Sequence, residues 1–254
     1  PQPVVHLGRL RWPMLLVPAV VLGVALGVPG WGLYQWFQRG TSRPDWDRFA
    51  EATLNTIQVG ALGAIAVVAL AFPVALLAVR HPGPLPRLAT RAAYAGHALP
   101  GVVVGLSLVF FGIRYATPIY QRLPLLVLAY VVLFLSLGLA SIQSAIAQVP
   151  PTLDDVARSL GRSAWGAWRE VTLRLAAPGV GAAATLVFLT IMKELPATLF
   201  LRPTGFDTLA TELWAQTQSF SRAAAAPYAV AIVVLAALPT ALLATLGEGR
   251  RRRR

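Results

Sequence analysis

An all-α, polytopic membrane protein with six transmembrane helices is the fold class this sequence predicts, and three observations carry it. Only 13% of the 254 residues are charged and 56% are hydrophobic, with a mean hydropathy of +0.64, whereas a soluble domain is typically about 25% charged. Six stretches, near 12–36, 53–79, 92–113, 123–147, 177–201 and 225–246, are long and apolar enough to cross the membrane; a crossing needs about 20 residues for roughly 30 Å of hydrocarbon. Runs of that length suit helices, which satisfy their own backbone. Barrel strands would alternate with period two over about ten residues.

In chain order, residues 1–11 ("PQPVVHLGRLR") read as a polar lead-in or linker. The sequence opens on Pro, so it is expected to start inside a longer chain. The first apolar run, 12–36, is too long for a secretory signal, and no small-residue cleavage site follows it. Residues 53–246 hold five further spans joined by short connectors. Gly101 with Gly105, and Ser136, Ala140 and Ser144, form small-residue stripes suited to close helix packing. Pro73, Pro196 and Pro239 fall inside apolar runs, where each removes a backbone hydrogen bond and kinks its helix. Residues 247–254 close the sequence as a basic tail.

The formal net charge is +12, and 21 of the 22 basic residues are arginine. They cluster at the ends of apolar runs, which reads as a topology signal and not as a nucleic-acid surface. With the N-terminus placed in the cytoplasm, Arg9, Arg11, Arg80, Arg87, Arg91, Arg158, Arg162, Arg169, Arg174 and Arg250 to Arg254 fall inside. Arg39, Arg43, Arg48, Arg114, Arg122, Arg202 and Arg222 fall outside, a two-to-one bias toward the inside. Positive charge inside sets the orientation, so both ends and the polar insert at 150–176 are expected in the cytoplasm.

That insert reads "PPTLDDVARSLGRSAWGAWREVTLRLA". Pro150 and Pro151 end the preceding helix, and Thr152 followed by Asp155 fits a capping box. Leu153, Val156 and Leu160 recur on one stripe, Gly161 interrupts, and Ser163 can cap a second helix with Ala164, Trp168, Val171 and Leu175 on its apolar side. On pattern alone, a pair of helices resting on lipid headgroups explains this as well as a partner-binding element does.

The spacing of "DVARSLG" and, nine residues on, "VTL" resembles the EAA loop of ABC-importer permeases, in which Glu-Ala-Ala, three residues and Gly are followed after nine residues by Ile-x-Leu-Pro. Asp155 sits at the Glu, Ala157 at the second Ala, Gly161 at the Gly, Val171 at the Ile and Leu173 at the Leu. Three positions depart: Asp for Glu, Val156 for the first Ala, and Arg174 for Pro. The stretches "MKELPATLFLRPTGFDTLATELW" and "AAAAPYAVAIVVLAALPT" are similar to the last two spans of ferric iron permeases, and the resemblance runs from about Asn55 to Leu246. It implies a type I importer bundle in the bacterial inner membrane, of the kind found as the C-terminal half of a fused ferric permease. It also implies that the EAA loop docks on a cytoplasmic ATPase dimer, that a periplasmic binding protein delivers substrate, and that a second six-helix half completes the path. Related permeases for thiamine, phosphonate, polyamine or sulfate remain alternatives, as does a passive membrane anchor. Asp155 has two compatible roles, complementing the helix dipole or meeting a basic group on the ATPase.

Catalytic chemistry is not expected in this chain. Its only lysine, Lys193, has no phosphate-binding glycine loop around it, so ATP belongs to the separate ATPase and no cofactor is expected here. Cysteine is absent, and His6, His81 and His97 stand apart with no carboxylate at ligand spacing, so no metal site is expected. Lys193 and Glu194 fall about 15 residues into the fifth span, roughly 22 Å from its cytoplasmic side. Ionisable groups at such depth face protein or water. Either Lys193 snorkels outward while Glu194 bonds a neighbouring helix, or one of them, with Pro196, lines an outer gate. The connector at 202–222 is too polar to span. Asp207 can cap a helix there with Leu209, Leu213 and Phe220 on one side and Trp214 at the edge, giving Glu212 and Arg222 a docking role toward the binding protein or none beyond an interfacial helix.

Overall fold

The computed structural model describes residues 8–39 and 45–251. The start of the lead-in, Arg43 and the last three arginines lie outside the described residues. Among those described there is helix and no strand: α1 (Arg11–Arg39), α2 (Trp46–Arg80), α3 (Pro84–His97), α4 (Gly101–Tyr115), α5 (Leu123–Ala147), α6 (Pro151–Ser159), α7 (Ala164–Ala167), α8 (Arg174–Met192), α9 (Pro196–Leu201), α10 (Leu209–Gln218) and α11 (Arg222–Arg251). A π-helical turn, Trp168–Leu173, joins α7 to α8 without a break.

The centre is a three-helix core of α2, α5 and α8. On α2 every fourth residue from Val59 through Gly63, Val67 and Ala71 to Ala75 is buried, which lays a ridge of small side chains along one face. Small residues on the partner helices meet it. A Cβ placed on Gly138 would lie 2.7 Å from a Val67 methyl, and one on Gly179 would lie 2.4 Å from the Ala145 Cβ. The helices are therefore closer than any larger side chain permits, as bundle packing in lipid favours. Tyr130, Ile142 and Val187 fill the remaining core. Among the described residues helix α1 packs chiefly on α11 and leaves most of its apolar side chains exposed.

Two of the six expected spans are differently built. The third is not one rod over 92–113. It breaks at Ala98–Pro100 into α3 and α4, bent by 104°, because the residue before a proline is driven out of the helical region. Among the described residues five helices are long and apolar enough to cross a membrane, and this bent pair passes the same test of length and hydropathy when its two arms are taken together. The fifth breaks at Lys193–Leu195, so Pro196 does not kink a helix interior but opens α9 at its first position, where its missing N–H costs nothing. Pro73 and Pro239 do lie inside α2 and α11. The stripe on α5 also needs correcting: Ser136 is buried, but Ala140 and Ser144 are exposed, since the inward face runs through Gly138, Leu139, Ile142 and Ile146. Gly101 and Gly105 do pack closely, facing Pro196, Ala197 and Phe200 of α9.

Candidate functional site

The insert folds as helix, glycine turn, helix. Helix α6 starts at Pro151, which puts Thr152 inside it, so the expected capping box is not made and no side chain caps this end. The first-turn acid is accordingly Asp154, not Asp155. Gly161 ends the element with φ of +86°, and a Cβ there would touch nothing within 4 Å. The glycine is thus required by backbone conformation and not by crowding. Ser163 accepts from the Gly166 N–H at 3.1 Å and caps the second helix, as its position predicts.

That second helix is not a separate amphipathic piece. It runs on as part of the fifth span, and the π turn moves its inward face by one residue. The buried positions are Ala167, Thr172 and Ala176, spaced five and then four apart, as a π turn demands. Ala164 and Leu175, expected on the apolar side, are exposed, while Trp168 and Val171 are half-buried. Trp168 stacks on Trp165 at 4.5 Å and meets Phe72 of α2 edge-on.

The motif residues divide by accessibility. Asp155 and Gly161 are exposed, and Ala157, Val171 and Leu173 are half-buried. The apolar stripe of α6 faces outward, with Leu153, Val156 and Leu160 at 40%, 56% and 79% exposure. Three polar residues outside the motif are drawn together beneath it. The Thr172 hydroxyl, fully buried, donates to the Asp154 carboxylate at 2.8 Å from either oxygen. Arg80 at the end of α2 donates to the Thr172 hydroxyl at 3.3 Å and to the Val149 carbonyl at 3.1 Å, and pairs with Asp154 at 3.5 Å. Sequence reading passed over all three. Asp154 is adjacent to the motif acid, Thr172 lies between two motif positions, and Arg80 reads as a span-end charge.

At the opposite end of the fifth span, Glu194 caps α9. Its carboxylate accepts from the Ala197 and Thr198 N–H groups at 2.8 and 2.9 Å and from the Thr198 hydroxyl at 2.6 Å. Because that hydroxyl proton points to Glu194, the Tyr130 hydroxyl is the donor in its 2.8 Å bond to Thr198. The Glu194 carboxylate also comes within 3.2 Å of where a Gly101 Cβ would stand. Lys193 makes no hydrogen bond or ion pair among the described residues. It lines an open, mostly apolar cleft of about 630 Å³ with Trp36 of α1, Leu213 and Trp214 of α10, and Ile232 of α11. The two adjacent ionisable groups therefore face different surroundings. His97 bonds the Leu133 carbonyl at 2.9 Å, as a satisfied histidine should, and His81 is exposed; His6 lies outside the described residues.

The 202–222 connector forms the short helix α10, but its cap is Thr208, paired reciprocally with Thr211. Asp207 instead pairs with Arg202. Leu209 is buried, while Phe220 lies past the helix end at 86% exposure. Glu212 is only 3% exposed and its carboxylate meets Arg48 at 3.3 Å. It is thus a structural tie between α2 and α10 and is shielded from any docking protein; Arg222 remains exposed.

Residues 68–252 match the family described as the binding-protein-dependent transport system inner membrane component. The chain belongs to that family. These permeases are multi-pass inner-membrane components of ABC importers, which agrees with the spans already described. One relative, the Fe(3+)-transport system permease protein FbpB 2 of Haemophilus influenzae, is 37% identical over 223 residues, covering 87% of this chain and 44% of its own. Another permease, the trehalose transport system permease protein SugB of Mycobacterium tuberculosis, is 30% identical over 62% of this chain and 57% of its own. The chain thus spans about half the length of the curated relatives it matches. Among solved structures, a bacterial alginate ABC transporter in complex with its pentasaccharide-bound periplasmic protein superposes with a TM-score of 0.70 at 18% identity, over 90% of each chain. That likeness establishes the permease fold.

Proposed function

We propose that the chain is a membrane-spanning part of an ATP-driven importer that passes ferric iron from a periplasmic binding protein to the cytoplasm. The observation that carries the substrate is the 37% identity with the Fe(3+) permease over 87% of this chain. A sugar substrate is the second reading, favoured by the SugB likeness. ATP is hydrolysed on a separate ATPase dimer, which presses on the outward apolar stripe of α6 and on Asp155. A second permease half completes the path, and lipid surrounds both. Arg222 faces the binding protein on the outer side. Of the two break residues, Lys193 is the pathway-facing candidate, because Glu194 and Pro196 are committed to building α9.

Reconstitution with the ATPase and a binding protein tests this. Proteoliposomes are expected to accumulate radioactive ferric iron in an ATP-dependent way and not trehalose. The half-saturating concentration of binding protein should rise with salt, as surface charge contacts require. Trehalose uptake without iron uptake would overturn the substrate.

Orientation has its own test, which the absence of cysteine makes clean. A cysteine at Thr204 is expected to react with an impermeant thiol reagent from the periplasmic side, and one at Ser163 is not; both positions are exposed. Labelling of position 163 from outside would reverse the topology. The first connector, including Thr41, offers a further outer position, although it lies outside the described residues.

A further inference from the structure

Helix α6 carries the face that meets the ATPase in the reading above, yet it buries none of its own residues. Something other than packing must tie it to the bundle. Of its side chains, only Asp154 makes a hydrogen bond or ion pair outside α6 among the described residues; the Ser159 hydroxyl bonds back within the helix. Asp154 reaches the two helices that form the core with α5. Through Thr172 it is held to the helix that becomes the fifth span, and through Arg80 to the end of α2. Arg80 also holds the carbonyl of Val149, just past α5.

We propose that Arg80, Asp154 and Thr172 form a clamp that positions the coupling loop, so that α6 and the ends of α2 and α8 move as one body when the ATPase closes. The inference rests on the importer reading. Its chemistry suits the role. Thr172 has no exposed surface and uses its hydroxyl both ways, accepting from Arg80 and donating to Asp154. The Arg80 side chain is 11% exposed and Asp154, at 24%, is its one carboxylate partner among the described residues. A shielded pair of this kind is screened far less by salt than a surface pair. The second ion pair of the loop, Arg162 just past Gly161 with Glu170 on the π turn, is exposed at both ends and links the loop only to itself. It is the natural control.

The test uses the complex with ATPase and binding protein loaded with ferric iron, and reads iron taken up per ATP hydrolysed. Asp154→Asn removes the charge and Thr172→Val removes both hydroxyl bonds at nearly constant shape. Each is expected to lower that ratio by roughly fivefold to twentyfold, within the range of coupling between sites. The double variant should be no worse than the single ones, as for residues of one device. Glu170→Gln should leave the ratio near wild type. A ratio unchanged in both clamp variants, with only a lower melting temperature, would reduce the cluster to a structural tie and overturn the proposal. A wild-type complex that takes up no iron and shows no stimulated hydrolysis would instead sink the importer reading. A second measurement needs no clamp variant. Spin labels on His81→Cys and Ser159→Cys, both exposed positions, should report one narrow distance that is the same with and without bound ATP. A distance that changes between those states would show that α6 moves independently of α2, and the clamp would fall.

Discussion

Replacing Gly161 with valine is expected to abolish substrate-stimulated ATP hydrolysis and uptake while leaving the chain inserted in the membrane. The residue has φ of +86° and open space around it, so the cost is entirely one of backbone. An L-residue forced into the left-handed region loses about 1–2 kcal/mol, and a β-branched one fares worst. The turn can escape that cost only by reorienting α6, which is otherwise tethered through Asp154. Assembly with the ATPase, followed by co-purification and stimulated hydrolysis, checks the outcome. Gly161→Asn is the calibrating variant, because asparagine tolerates this region and should retain much of the activity. Wild-type stimulation in the valine variant would mean that the turn's geometry does not matter to transport.

Removing the carboxylate of Glu194 is expected to be the most destabilising single change at the break. Its oxygens take two backbone N–H groups and the Thr198 hydroxyl. In Glu194→Ala the Ala197 and Thr198 N–H groups lose their acceptor, while the Thr198 hydroxyl keeps the Glu194 backbone carbonyl at 3.1 Å. Leaving shielded donors unpaired costs about 1–3 kcal/mol each, so a loss on the order of 3 kcal/mol is a conservative expectation. Glu194→Gln keeps one acceptor oxygen and should fall between. Lys193→Ala, one residue away with no partner to lose, should stay within about 0.5 kcal/mol of wild type, as changes away from such features do. Unfolding of the protein in nanodiscs, followed by tryptophan fluorescence, reads all three. Equal losses for Lys193→Ala and Glu194→Ala would remove the capping role.

Much of this architecture is legible in the sequence because apolar length and punctuation are local signals. The long apolar runs, the Gly161 turn and the Ser163 cap all follow from a few adjacent residues. What stays hidden depends on distant partners or on helical phase. The bend at Ala98–Pro100 is masked because both of its arms are apolar, so the run reads as continuous despite its proline. The break at Lys193–Leu195 is masked in the same way. The π turn inserts one residue of phase with no composition signature, which is why Thr172, and not Val171, faces inward. Asp154 and Asp155 cannot be told apart until the start of α6 is known. Glu212 sits in a polar connector that looks like surface, and only its encounter with Arg48 at the start of α2 explains how a carboxylate can be buried there. The family resemblance points to the loop, yet the polar residues joined beneath it occupy no matched motif position: Asp154 precedes the motif acid, Thr172 falls between two motif positions, and Arg80 comes from the end of α2.

The uninterrupted run from Ala164 to Met192 has a mechanical consequence. Its 29 residues make a lever arm roughly 43 Å long, with one end just past the glycine turn and the other at the break before α9. A tilt of about 10° about one end swings the other by roughly 7 Å over that length. Amplification of this sort needs a continuous beam and a joint at its tip. The chain supplies the first as helix that carries its π turn and Pro178 without a break, and the second as Lys193, Glu194 and Leu195 before α9. Under the importer reading proposed above, a small displacement at the coupling loop would arrive as a larger one beside the cleft.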